Sequence, residues 1–141
     1  MSVPERLQTI IDNFSKAPKP LRLQMLLEYA QKVPPLPEHL EGNRDRMEQV
    51  HECQTPFFLV SEFRDDGVVF HFDAPPEAPT TRGFAGILSE GLSGLSADAI
   101  LNTPDDFYNQ MGLAEVISPL RLRGMSAITG RLKRQVRESE G

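Results

Sequence analysis

The sequence predicts an α+β fold, in which a small antiparallel sheet of about three strands packs against helices from both ends of the chain. Three observations lead there. Apolar residues recur at helical spacing near the start (Leu7, Ile10, Ile11, Phe14) and near the end (Leu122, Met125, Ile128, Leu132, Val136). Between them, two apolar runs flank Asp65-Asp66-Gly67, a turn signal that reads as a hairpin. The length, 141 residues with 39% apolar and 25% charged side chains, suits one domain, residues 1–141, that buries its own core.

The elements follow in order. Val3 to Phe14 reads as a helix broken by Pro18 and Pro20. A second helix opens near Pro20, since a first-turn proline gives up a donor that has no partner there. Its predicted apolar face is Leu23, Leu26, Leu27, Ala30 and Val33, and Pro34-Pro35 ends it. The Pro-rich stretch PPLPEHLEGNRDR is too short for an interdomain linker and is expected to cross the surface. Met47 to Val50 predicts a short strand. Pro56 to Phe63 predicts a second, and Val68 to Phe72 a third, with Val68, Phe70 and Phe72 on one face and Val69 and His71 on the solvent side. After DAPPEAPTT, Thr81 is expected to cap a helix carrying Phe84, Ile87, Leu88 and Leu92. Gly83, Gly86, Gly91 and Gly94 suggest close helix packing there. Short helices are predicted from Ser96 and from Thr103-Pro104, the latter ended by Gly112, and Ser118-Pro119 opens the last helix.

Composition excludes several function classes. A net charge of −5 argues against a nucleic-acid partner, and the late basic residues (Arg121, Arg123, Arg131, Lys133, Arg134, Arg137) read as a solvated helix face. No run approaches the roughly 18 apolar residues of a membrane span. The N-terminal residues lack the apolar core of a secretory signal, so the expected location is the cytoplasm, where reducing conditions keep a lone thiol free.

That thiol is the one cysteine of the chain, Cys53, in the stretch VHECQTPFF. A free cysteine is commonly a small buried hydrophobe. Here polar residues 41–52 precede it and Thr55-Pro56 suggests a turn, so Cys53 is expected at a loop edge with one dry and one wet side. A cation nearby would lower its pKa from about 8.5. His51, two residues away, and a distant Arg121 or Arg123 are the candidates, and Glu52 would oppose them if it points at the sulfur. A metal centre is a poorer reading: His39, His51, Cys53 and His71 lack the paired spacing of a closed zinc site, and one thiolate is too few for an Fe–S cluster. A Cys53–His51 hydrolase is weakened by the closeness of the pair in sequence. There is no phosphate-binding loop and no dinucleotide fingerprint. The pairs Asp65-Asp66 and Asp105-Asp106 suit a turn and a first helical turn.

Four stretches in order resemble the SufE family of sulfur-acceptor proteins: LLEYAQKVPPLPEHL, VHECQT, TTRGFAGIL and DFYNQMGLAEVISPLRLRGMSAI, together covering about Leu7 to Leu132. The family's reactive loop reads close to Val-x-Gly-Cys-Gln-Ser, so Glu52 replaces a glycine and Thr55 a serine. Pro56 follows at once, and Pro75 to Pro79 replace the usual approach to the next helix. The resemblance implies a fold similar to the IscU scaffold. It implies that Cys53 takes a persulfide sulfur from a SufS-type cysteine desulfurase, stimulates that enzyme and passes the sulfur to Fe–S cluster assembly, with a SufBCD-type scaffold as a possible acceptor. Carried over, Cys53 is the acceptor, Arg121 a stabiliser of the thiolate or persulfide, Gln54 the loop glutamine, and Arg82-Gly83 the pair opening the helix beneath. His51 stays a candidate from its position beside the thiol. No cofactor of its own is expected, the pyridoxal phosphate (PLP) belonging to the desulfurase, and the expected state is a monomer or weak dimer. Two alternatives stand beside this: a regulatory module that binds a desulfurase without accepting sulfur, and a small thiol enzyme.

Overall fold

The computed structural model describes residues 3–140. Its architecture is α+β. Helix α1 (Glu5–Lys16) buries Leu7, Ile10, Ile11 and Phe14, the predicted stripe. Helix α2 (Lys19–Tyr29) carries Pro20 in its first turn. Its buried face is narrower than the sequence suggests. Leu26, Ala30 and Val33 are buried, but Leu23 and Leu27 remain 38% and 37% exposed. The reason lies in α3 (Pro79–Gly91), which meets α2 backbone to backbone. Gly83 faces the Leu26 carbonyl and Gly86 the Tyr29 carbonyl so closely that a Cβ on either would clash with it. Two helices this close bury a narrow seam and leave the flanking leucines outside.

The sheet has the order β1-β2-β3, all antiparallel: β1 (Glu48–Gln49), β2 (Phe58–Arg64) and β3 (Gly67–Asp73). Register Arg64↔Gly67 leaves Asp65-Asp66 as the two-residue turn. Leu59, Ser61 and Phe63 pair with Phe72, Phe70 and Val68 on the inner face, where Leu59, Val68, Phe70 and Phe72 are buried. The outer face is not bare. The Pro-rich stretch lies over it: His39 Nε2 donates to Glu62 at 2.5 Å, Arg44 pairs with Asp73 at 2.8 Å, and the Arg44 guanidinium stacks over Phe58. His71, expected on the solvent side, instead donates to Glu62 at 2.9 Å, and its side chain is only 12% exposed.

Thr81 does not cap α3. Ala78 holds the cap position, Pro79 opens the helix, and no side chain caps it. Proline fits that first position better than a hydroxyl two residues later. Helix α4 (Ala97–Leu101) is capped by Ser96, which accepts from the Ala99 amide. The segment from Phe107 to Met111 is a 3₁₀ turn and ends at Gly112 in the left-handed conformation. Helix α5 (Pro119–Glu140) buries Met125, Ile128, Leu132 and Val136. Phe84 stacks on Phe107 with ring centroids 5.5 Å apart, which joins α3 to that turn. Among the described residues, no helix is long and apolar enough to cross a membrane.

Candidate functional site

β1 and β2 form a hairpin whose loop runs from Val50 to Phe57. The neck is fixed. Val50 and Phe57 are both fully buried, and the Val50 amide donates to the Phe57 carbonyl at 2.8 Å. Buried apolar side chains at the neck and polar ones beyond it force the loop to bulge outwards. At its tip the Cys53 amide donates to the Val50 carbonyl at 3.2 Å, which turns the chain back. Cys53 is half-buried, with the dry and wet sides the sequence predicts.

The dry side is the start of α5. Gly124 has no side chain, and a Cβ there would reach 3.4 Å from the Cys53 sulfur. The wet side opens on a cavity of about 310 Å³. Cys53, Gln54, Thr55 and Glu52 form one wall. Glu77, Ala78 and Thr81 form a second, where α3 begins, and Ser118, Leu120, Arg121 and Gly124 a third, where α5 begins. The first turns of two helices therefore border the space in front of the sulfur. The α5 start is capped, Ser118 Oγ accepting from the Arg121 amide at 3.3 Å, while the α3 start has no side-chain cap. The helix N-termini and Arg121 attract an anion into this space, while the carboxylates of Glu52 and Glu77 on the same lining repel one.

The thiol itself is not poised as an anion. Burial pushes its pKa up to about 11, the charge of Glu52 adds to the rise, and Arg131 opposes it. A neighbouring cation was expected to lower the pKa; desolvation outweighs it here. The cation that acts on the sulfur is Arg131, further along α5. Arg131 Nη2 donates to Glu52 at 2.7 Å and Nη1 to Glu48 at 3.0 Å. Arg134 also pairs with Glu48, whose other oxygen accepts from Gln135 at 2.9 Å, while Gln135 accepts from Ser61 at 2.7 Å. Burial raises the Glu48 carboxyl, but these hydrogen bonds together outweigh it and leave it below its ordinary value, and Arg131 likewise holds the Glu52 carboxyl down.

Of the residues singled out from the sequence, Cys53, Gln54 and Arg121 meet around the cavity. His51 is exposed and lies outside the lining. His39 and His71 are on the outer face of the sheet, bound to Glu62, and among the described residues no cluster of histidine, cysteine and carboxylate side chains fits a metal ion. Sequence reasoning missed Gly124 and Arg131. Seven residues apart on one helix, they share a face, a signal visible in the sequence. Which loop that face meets is not visible there.

Three comparisons with known proteins agree. A family model described as "SufE: Fe-S metabolism associated domain" matches residues 8–136. A Mycobacterium tuberculosis protein described as an uncharacterized SufE-like protein is 49% identical over 140 residues, covering 99% of this chain and 96% of its own length. A Plasmodium falciparum protein called cysteine desulfuration protein SufE is 24% identical over 133 residues, 91% of this chain and 52% of that protein. The solution structure of a hypothetical protein from Thermus thermophilus superposes with a TM-score of 0.86 at 48% identity, covering 97% of each chain.

Proposed function

The chain belongs to the SufE family, and from that premise we propose that Cys53 accepts sulfur from a SufS-type cysteine desulfurase, speeds that enzyme's turnover and hands the sulfur to Fe–S cluster assembly. The observation that carries this reading is the placement of the lone thiol. It sits at the tip of a hairpin, half-buried, at the edge of a cavity bordered by two helix N-termini and Arg121.

The chemistry is a displacement at sulfur. The Cys53 thiolate attacks the outer sulfur of a persulfide on the desulfurase cysteine. A new S–S bond forms on Cys53, the old one breaks, and the desulfurase cysteine leaves as its thiolate. The outer sulfur keeps its proton throughout or loses it to water, and no oxidant or reductant enters. The carrier needs no cofactor of its own; the PLP that makes the persulfide belongs to the partner.

Two properties of the site support this role. At neutral pH a thiol with a pKa near 11 is almost wholly protonated, so the resting protein is a poor nucleophile towards stray electrophiles. Leaving the Gly124 seat removes the desolvation that causes the rise, so the thiol becomes reactive as the tip extends towards a partner. After transfer the tip can fold back, and a persulfide would then lie beside Arg121 and the α3 N-terminus, with Glu52 and Glu77 on the same lining. Gln54, which lines the cavity beside Cys53, is assigned the role of orienting the incoming sulfur in this proposal. A reducing compartment such as the cytoplasm would keep the acceptor free.

A Cys53→Ser variant tests the role of the thiol. It should still bind the desulfurase but lose all stimulation of cysteine turnover, read as alanine release. Stimulation that survives the substitution would instead indicate a regulatory module that does not accept sulfur.

A further inference from the structure

The hairpin that carries Cys53 is tied to α5 very unevenly. Gly124, Arg131 and Gln135 all face it, at helical spacings of seven and four. At the base, Glu48 in β1 is held by Arg131, Arg134 and Gln135, and Ser61 in β2 donates to Gln135. At the tip, the ion pairs and side-chain hydrogen bonds to α5 reduce to one among the described residues, from Arg131 to Glu52 at 2.7 Å. One guanidinium thus spans the hairpin, with one nitrogen on the base and the other on the residue next to the acceptor sulfur.

From this geometry we infer that the Glu52–Arg131 pair is a latch that holds the Cys53 tip in its seat against Gly124, and that opening it is the step that exposes the thiol. The two are positioning residues, acting on the sulfur through the backbone of the tip. The inference rests on the acceptor reading for its purpose but not for its physics. The pair is suited to reversible opening. The Glu52 side chain is 42% exposed and that of Arg131 26%, so water can replace either partner, and an ion pair this exposed is weak enough to break thermally. When the tip leaves, Arg131 keeps Glu48 and is not stranded. A partner that offered a cation to Glu52 would favour the open form, while the base contacts keep the hairpin itself formed.

Charge alone would also alter Cys53 reactivity, so the test reads position separately from titration. Hydrogen exchange at the Cys53 amide, protected at rest by its bond to Val50, reports opening without thiolate chemistry. Arg131→Gln and Glu52→Gln should each speed that exchange about fivefold, the worth of one partly exposed ion pair. Arg134→Gln, which loosens only the base, should leave it unchanged. Unchanged exchange in both latch variants would overturn the inference, as would an equal rise in Arg134→Gln. Iodoacetamide labelling of Cys53 gives a second reading. A latch predicts faster labelling in both variants, whereas pure electrostatics predicts faster labelling in Glu52→Gln and slower in Arg131→Gln. Neither readout involves a desulfurase. Faster exchange with no sulfur uptake from the desulfurase would sink the acceptor reading and leave the latch standing, and sulfur uptake with unchanged exchange would do the reverse.

Discussion

Among the described residues, the fold displaces Cys53 and Glu62 furthest from their ordinary protonation, and it does so in opposite directions. Cys53 is pushed up to about 11 because it is buried beside a carboxylate. Glu62 is pulled down to about 2 because His71, His39 and Arg64 all donate to it. Only one of these groups borders a cavity. Glu62 is a fastener: its two oxygens join the stretch around His39 to β2 and β3, and with its partners in place it has little capacity left for chemistry. Cys53 has one backbone bond, to Val50, and an open side that faces a cavity. A strong shift by itself therefore does not mark a site here. A nucleophile kept in its unreactive form next to open space is the feature on which the acceptor proposal rests.

The largest effect should come from filling the cysteine seat. Gly124→Leu puts a side chain where the sulfur rests and forces Cys53 into water. Its pKa should return from about 11 towards about 9, a gain of up to about a hundredfold in thiolate at pH 8. The initial rate of iodoacetamide labelling across pH 7 to 11 would show it. A labelling midpoint near 9 in the unaltered protein would remove the burial that distinguishes Cys53 from Glu62. The seated thiol also stabilises the fold below its ordinary pKa of 9.0, and that contribution is lost as pH rises through about 11.

Glu62→Gln probes the other side of the comparison. It should cost about 1 kcal/mol at pH 7, since His39 and Arg64 are half-exposed, and leave sulfur uptake unaltered. Because the folded pKa is the lower one, the Glu62 contribution is present above about 4.5 and disappears as pH falls towards about 2. Urea midpoints for both proteins at pH 7 and pH 3 should therefore converge at the acid end. Impaired sulfur uptake in Glu62→Gln would give the outer-face cluster a share in function.

Much of the fold is legible in the sequence because periodicity reports burial directly. The stripes of α1 and α5, the Asp65-Asp66 turn and the alternation of β3 all follow from it. The Cys53 loop edge follows too, from polar residues meeting an apolar strand. What escapes is whatever depends on how near two elements come. The α2 face is narrowed by Gly83 and Gly86 of another helix, and His71 is covered by a stretch 32 residues before it. The thiol's upward pKa shift comes from burial and from Glu52, and the Arg131 that opposes it is joined to Glu52 across 79 residues of chain. Propensity identifies Arg131 as a helix-face charge; only tertiary contact makes it a neighbour of the sulfur.

The central claim, that Cys53 takes up sulfur, is tested most directly by intact mass. The reduced protein is mixed with a SufS-type desulfurase and L-cysteine, then weighed with and without a reductant. One added sulfur atom, about 32 Da, removed by reduction and absent from Cys53→Ser, is the predicted result. An unchanged mass beside a desulfurase that is turning over cysteine would contradict it.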